Sequence, residues 1–149
     1  MPLSLEDRAQ LADLLTDYAF AIDLRRWDEL RNVFTEDAVI DYVGTPEHAG
    51  IEEILAFFRA SAGSVAATQH LIHTSRVWST GTDRAAGLTH VTAHHTAYHV
   101  TPPVPPESTY TVTGTYTDEF RRDRRGWRIA HRRLTLLTRS GDPAILVVH

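Results

Sequence analysis

Four of the nine histidines in this 149-residue chain fall within ten consecutive positions, HVTAHHTAYH, residues 90–99. An imidazole either ligates a metal or moves protons near neutral pH, and the backbone beneath it decides which chemistry is open. The density of Thr and Val and the Pro-rich exit TPPVPPE favour a strand here over a helix. In a strand, His90 and His94 share one face while His95 and His99 share the other, each pair about 13 Å apart at ~3.3 Å per residue. No two of them can reach one ion, so no metal site is expected, and at most one of the four is expected to face a cavity.

Two other polar residues are more informative. Asp23 closes the otherwise apolar stretch YAFAID near the end of an amphipathic helix, where a carboxylate should be paired or should line a cavity. His70 opens a strand in TQHLIH. An Asp that holds one imidazole nitrogen fixes the tautomer and leaves the other nitrogen free as a base. Nothing in the spacing alone brings the two together, and each taken singly also suits a plain role, Asp23 at a solvated helix end and His70 at a strand edge.

The elements that must position these groups can be read from periodicity. Ser4 and Asp7 have the spacing of a capping box, and Leu11, Leu14, Leu15, Tyr18 and Ile22 then recur at helical intervals. A second short helix is predicted in WDELRNVF, where Trp27, Leu30 and Phe34 share a face. AVIDYV (38–43) reads as a strand, and GIEEILAFFRA returns to a helical period through Ile51, Ile54, Leu55 and Phe58. After SAGSVAA come four long Thr- and aromatic-rich segments, 68–79, 85–100, 108–121 and 127–138, separated by turn residues. Hairpin connections favour one antiparallel sheet in meander order, and helices followed by strands make an α+β fold. Long strands without a second sheet must bend around the helices, so the predicted shape is a cone with a pocket inside.

Composition sets the outer bounds. A single domain, 1–149, is expected, with a core from 5 to 138 and an apolar tail, 139–149, that caps the cone or packs on another subunit. The charged fraction of 23% and hydrophobic fraction of 42% are those of a soluble globular chain. MPLSLEDRAQ has no signal-like pattern and Cys is absent, so a cytoplasmic address and no disulfide or thiol chemistry are expected. Net charge is −4, and the basic run RRDRR (121–125) is short and interrupted by Asp123, so it is read as a solvated hairpin tip and no nucleic acid or membrane partner is expected.

The element order, together with AID…WDELRNVFTEDAVIDY, TQHLIHTSRV, GTYTDEF and GWRIAHRRL, resembles the SnoaL-like branch of the nuclear transport factor 2-like superfamily over residues 5–138. WDELR…IDY and TQHLIHTSRVW are similar to scytalone dehydratase. GTYTDEF and GWRIA are similar to the hexachlorocyclohexane dehydrochlorinase, and the bile-acid 7α-dehydratase shares the spacing of Tyr18 and Asp23. The resemblance implies that Asp23 supports the base, that His70 abstracts the proton, and that Tyr42 donates to a substrate carbonyl. Counting without a gap, the second catalytic His falls on His95, with His94 as the competing choice if the strand contains a bulge.

Other pocket positions depart from those relatives. The dehydratase's other pocket Tyr falls on Ile22 and its substrate-orienting Asn on Tyr116, so its particular substrate is not implied. Tyr116 shares strand parity with Tyr110, Val112 and Phe120, a face that could line the cone or simply pack in the core. Arg132 matches a variable pocket position of the dehydrochlorinase and could anchor an anionic or phenolic group, although HRRL also suits an exposed strand end.

The expected function is that of a cofactor-independent dehydratase acting on a small, largely apolar hydroxy-carbonyl compound, polyketide-like or steroid-like. In it His70 takes an α-proton, Tyr42 steadies the enolate and His95 protonates the departing hydroxyl. The alternatives are a cyclase or isomerase using the same dyad, and a non-catalytic binding or assembly domain. By resemblance, a homo-oligomer is expected, a trimer or a dimer.

Overall fold

Ser4 starts the first helix as the sequence requires. Its hydroxyl accepts the Asp7 amide at 3.0 Å while the Asp7 carboxylate accepts the Ser4 amide at 3.1 Å. The computed structural model describes residues 2–98 and 101–146. Helix α1 spans Leu5–Asp23, a 3-10 turn covers Trp27–Glu29, and a single turn, α2, covers Leu30–Val33. Strand β1 is Phe34–Tyr42, β2 is the two-residue His48–Ala49, and α3 is Ile51–Ser61. The meander follows as β3 (Ala67–Gly81), β4 (Arg84–Thr96), β5 (Thr109–Asp123) and β6 (Gly126–Gly141), and a 3-10 turn, Pro143–Leu146, ends the described chain.

Six strands form one sheet in the order β2-β1-β6-β5-β4-β3. β1 starts earlier than the expected 38–43, taking Phe34 out of the predicted helix. It lies parallel to β6, which makes the sheet mixed where an all-antiparallel one was expected. The reason is connectivity: hairpins force antiparallel neighbours only between consecutive strands, and β1 meets β6 after α3 has crossed the sheet. Register shifts between Ile72 and Ser75, Thr113 and Gly114, and Glu119 and Phe120 bend the long strands. At one of these the backbones approach so closely that a Cβ on Gly114 would collide with the Thr135 carbonyl.

The concave face of the bent sheet wraps α1 and α3. Leu11, Leu14, Leu15 and Ile22 of α1 and Ile54, Leu55 and Phe58 of α3 meet Phe34, Ile40, Phe120 and Ile129 from the strands. α1 is further tied to the sheet through Asp7, whose carboxylate accepts from Trp127 Nε1 at 2.9 Å and from Arg122. The Trp127, Ser4 and Arg122 contacts hold the Asp7 carboxyl down to about 2.

Arg121, Arg122 and Arg128 around the β5–β6 tip pair with Asp37, with Asp7 and Asp83, and with Asp123. The described part of the apolar tail caps the cone: Ile145 and Leu146 pack on a small cluster of Ala93, Tyr110 and Val112. Residues 147–149 of that tail, and His99, lie outside the described residues. No helix among the described residues is long and apolar enough to cross a membrane.

Candidate active site

The last residue of α1 and the edge of the sheet meet at Asp23. β3 pairs only with β4, so amides on its outer side have no ladder partner. The His70 amide is one of these, and it donates to Asp23 Oδ2 at 2.8 Å. Asp23 Oδ1 accepts the His70 ring nitrogen Nδ1 at 2.7 Å and the Thr68 hydroxyl at 2.9 Å. A carboxylate only accepts, so the Nδ1 proton is fixed and Nε2 carries the lone pair. Burial alone would raise the Asp23 carboxyl, but the bonds from the His70 ring, the His70 amide and Thr68 outweigh it and hold the carboxyl below its ordinary value.

His95 faces the same space from β4. Its ring stands nearly perpendicular to that of His70, at 80°, with centroids 6.2 Å apart. Nδ1 donates to the Tyr110 carbonyl at 2.9 Å, so Nε2 is again the bare nitrogen. Burial depresses His95 to about 4, which leaves it neutral at pH 7. The β4–β5 ladder runs without a shift from Arg84–Arg121 to Thr96–Thr109, so there is no bulge to rotate the neighbouring histidine inward. His94 lies exposed on the opposite face, its Nδ1 beside the Thr111 hydroxyl at 2.9 Å. Of the two candidates, His95 is the one in the cavity.

Three tyrosines from three elements converge beside the histidines. Tyr18 of α1 lies 2.9 Å from the Tyr42 hydroxyl and 3.3 Å from that of Tyr116, oxygen to oxygen. Their rings pack edge-on or stacked against one another and against Phe58. Burial raises all three hydroxyls well above the ordinary tyrosine value, so they remain protonated donors.

These groups line one cavity of about 240 Å³. Ile22 on α1, the aliphatic wall of Val91, Ala93, Val112, Leu134 and Leu136, and Phe57, Phe58 and Tyr110 supply its apolar surface. Leu146 closes part of the boundary. The structure therefore brings His70, His95, Tyr18, Tyr42, Ile22 and Tyr116 together around the cavity, with Asp23 behind the His70 ring. Among the described residues no group of three His, Asp or Glu side chains is arranged to hold a metal ion.

Arg132 is placed differently. It is fully buried rather than at an exposed strand end, and it is not among the cavity-lining residues. Nε and one terminal nitrogen make a two-pronged pair with Asp118 at 2.7 and 2.8 Å, so the fork that would have anchored a substrate is already filled. Its guanidinium lies against the faces of Tyr18 and Tyr116, 4.3 and 3.9 Å from the ring centroids.

Sequence reasoning missed three contributors. Thr68 shares strand parity with His70, a signal that was available, but its bond to Asp23 depends on where α1 ends. The Tyr110 carbonyl that fixes His95 is a backbone group with no sequence signature. Asp118 is legible only as an inward-facing acid, and its partner depends on the β5–β6 register.

Comparison with known proteins agrees with this architecture. A 38-residue stretch is 55% identical to the Mycobacterium tuberculosis protein Rv2910c, and the match covers about a quarter (26%) of either chain. The Kribbella flavida protein Kfla4162 is 32% identical with a TM-score of 0.82, covering 95% of this chain and 96% of that one. The hexachlorocyclohexane dehydrochlorinase LinA-type3 of Novosphingobium barchaimii has the same cone-shaped fold, with a TM-score of 0.79 over 97% of this chain and 96% of that one at 18% identity. The SnoaL-like domain matches residues 3–133, from the first helical cap to the strand that carries Arg132, and the chain belongs to that family.

Proposed function

We propose that this protein is a cofactor-independent lyase that dehydrates a small, neutral hydroxy-carbonyl compound. One observation carries the reading: the Asp23–His70 pair presents an imidazole with a fixed tautomer and a bare Nε2 to an apolar cavity that also contains protonated tyrosine hydroxyls. The fold shared with a dehydrochlorinase, an enzyme named for removing hydrogen chloride, is consistent with elimination chemistry but does not choose the substrate.

In the proposed sequence, His70 Nε2 removes a proton α to the carbonyl and becomes an imidazolium beside the Asp23 carboxylate. The carbonyl oxygen takes up negative charge and receives a hydrogen bond from Tyr42. The enolate then re-forms the carbonyl, the α,β double bond forms and the β C–O bond breaks. Because His95 is neutral with its Nδ1 proton held by a carbonyl, it is poorly suited to supply the proton expected of it. The proton passes instead from the His70 imidazolium to the departing oxygen on the same face. His95 Nε2 meanwhile accepts a hydrogen bond from the hydroxyl, which keeps its own hydrogen, and holds the leaving group in line. Water is released, carrying the proton taken from carbon, and His70 returns to its starting state with His95 unchanged throughout. A positioned base contributes about 10²- to 10⁴-fold, and removing one donor to the charged oxygen costs a similar amount.

The test separates proton removal from elimination. A bicyclic ketone without a leaving group, incubated in D₂O, should exchange its α-protons with the wild type and not with His70→Ala, read by NMR. A panel of β-hydroxyketones should lose the mass of one water. Ring closure would leave the mass unchanged, and absence of both reactions would favour a carrier.

A further inference from the structure

The buried Arg132–Asp118 pair is unexplained by the mechanism above. Both side chains are entirely without solvent exposure, and the pair spans neighbouring strands at matched positions of β5 and β6. Removing two charges from water is expensive, and buried pairs can often be exchanged for apolar side chains of similar volume without loss of stability. Here the exchange would also remove something else. The second terminal nitrogen of Arg132, Nη1, is buried with no hydrogen-bond partner, while the guanidinium carbon lies 3.9 and 4.3 Å from the Tyr116 and Tyr18 ring centroids. The positive end of the pair is thus pressed onto two aromatic faces whose hydroxyls belong to the tyrosine cluster.

We propose that Arg132, clamped by Asp118, is a positioning residue that makes the Tyr18–Tyr42–Tyr116 cluster a site for a negatively charged substrate oxygen. It never touches the substrate. It packs over the faces of two rings that stand 84° apart and sets a positive charge behind them, which strengthens the hydrogen bonds their hydroxyls donate forward. Asp118, bonded to Nε and Nη2, opposes this field, yet for both Tyr42 and Tyr116 the lowering by Arg132 outweighs the raising by Asp118. Tyr42 feels the charge directly, and its hydroxyl is tied to that of Tyr116 through Tyr18, which lies within hydrogen-bond distance of both. This inference rests on reading Tyr42 as the donor to the substrate oxygen.

The experiment uses 4-nitrophenol, a small neutral acid whose anion absorbs in the visible, bound to the whole protein and titrated with alkali. The wild type should bind it saturably. Bound probe should ionise about tenfold more readily in the wild type than in the double variant Arg132→Met/Asp118→Leu, which removes both charges and leaves neither unpaired. Should that variant fail to fold, Arg132→Lys takes its place, since a lysine keeps a charge but loses the two-pronged clamp that holds it over the rings. Ionisation at least threefold weaker than the wild type is expected there.

Equal ionisation in the wild type and the variant measured, or no saturable binding to the wild type, overturns the proposal. A merely structural pair would shift thermal stability and leave the ionisation of bound probe unchanged. The probe undergoes no proton transfer to carbon, so this result and the loss of exchange in His70→Ala can fail independently of one another.

Discussion

Replacing Asp23 by Asn changes the identity of one heavy atom, and the geometry fixes what it must break. The carboxylate accepts three donors: the His70 ring and Thr68 on one oxygen and the His70 amide on the other. An asparagine has one oxygen and one NH₂ group. If its oxygen keeps the ring and Thr68, the NH₂ faces the His70 amide, donor against donor. If its oxygen keeps the amide, the NH₂ faces Nδ1 and drives the proton to Nε2, the nitrogen that must act as base. Either arrangement loses a hydrogen bond to a charged acceptor and the charge that stabilises an imidazolium.

The stability cost is about 1–3 kcal/mol, or roughly 3–10 °C for a chain of this size. The α-exchange rate in D₂O should fall about 10²- to 10³-fold with little change in ketone affinity, because the carboxylate does not line the cavity. Three readouts apply: NMR exchange rates at saturating ketone, ¹⁵N shifts of the His70 ring for the tautomer, and thermal unfolding to show that the variant is folded. A folded Asp23→Asn variant that exchanges within about threefold of wild type would refute the argument, whatever its tautomer.

Other expectations follow from the same contacts. Burial places His95 at about 4 against an ordinary 6.5 for a free imidazole, so between those values the unfolded chain binds a proton that the folded chain does not. Stability is therefore complete above pH 6.5 and declines as pH falls toward 4, by on the order of 3 kcal/mol; His95→Asn should flatten this slope in chemical denaturation. Ketone turnover should drop in His95→Ala, while His94→Ala, on the outer face, should match the wild type in the same assay. Arg132→Met alone leaves Asp118 buried and unpaired, at a cost of about 3–5 kcal/mol. Adding Asp118→Leu should recover most of that in thermal unfolding, and no recovery would show that the pair itself holds the sheet together.

Periodicity was sufficient for α1, α3 and the strand faces, though it carried the second helix into Phe34, which opens β1. Leu11, Leu14 and Ile22 mark the buried side of α1, and the parity that puts His95 inside puts His94 outside. It could not show that β1 runs parallel to β6, because alternation records which face is buried and not which strand lies alongside. Arg132 shows the same limit from the other side. In HRRL its inward parity is visible, and so is that of Asp118 between Tyr116 and Phe120, but two inward charges look like exposed ends until the register joins them. That register depends on shifts at Thr113–Gly114, hinted at only by the lone glycine, and at Glu119–Phe120, which carries no distinct signature. The meeting of Asp23 with His70 came from family resemblance, since a helix end and a strand 47 residues later have no local relation in sequence.

The bond from the His70 amide to Asp23 has a bearing outside catalysis. An open strand edge is a template on which another chain can pair, and β3 is the long free edge of this sheet. By occupying that amide, the helix carboxylate that orients the base also obstructs the start of such a template. A relative of this protein that served only to bind could dispense with His70's ring more easily than with Asp23. Loss of the acid would surrender a safeguard against self-association along with the proposed base.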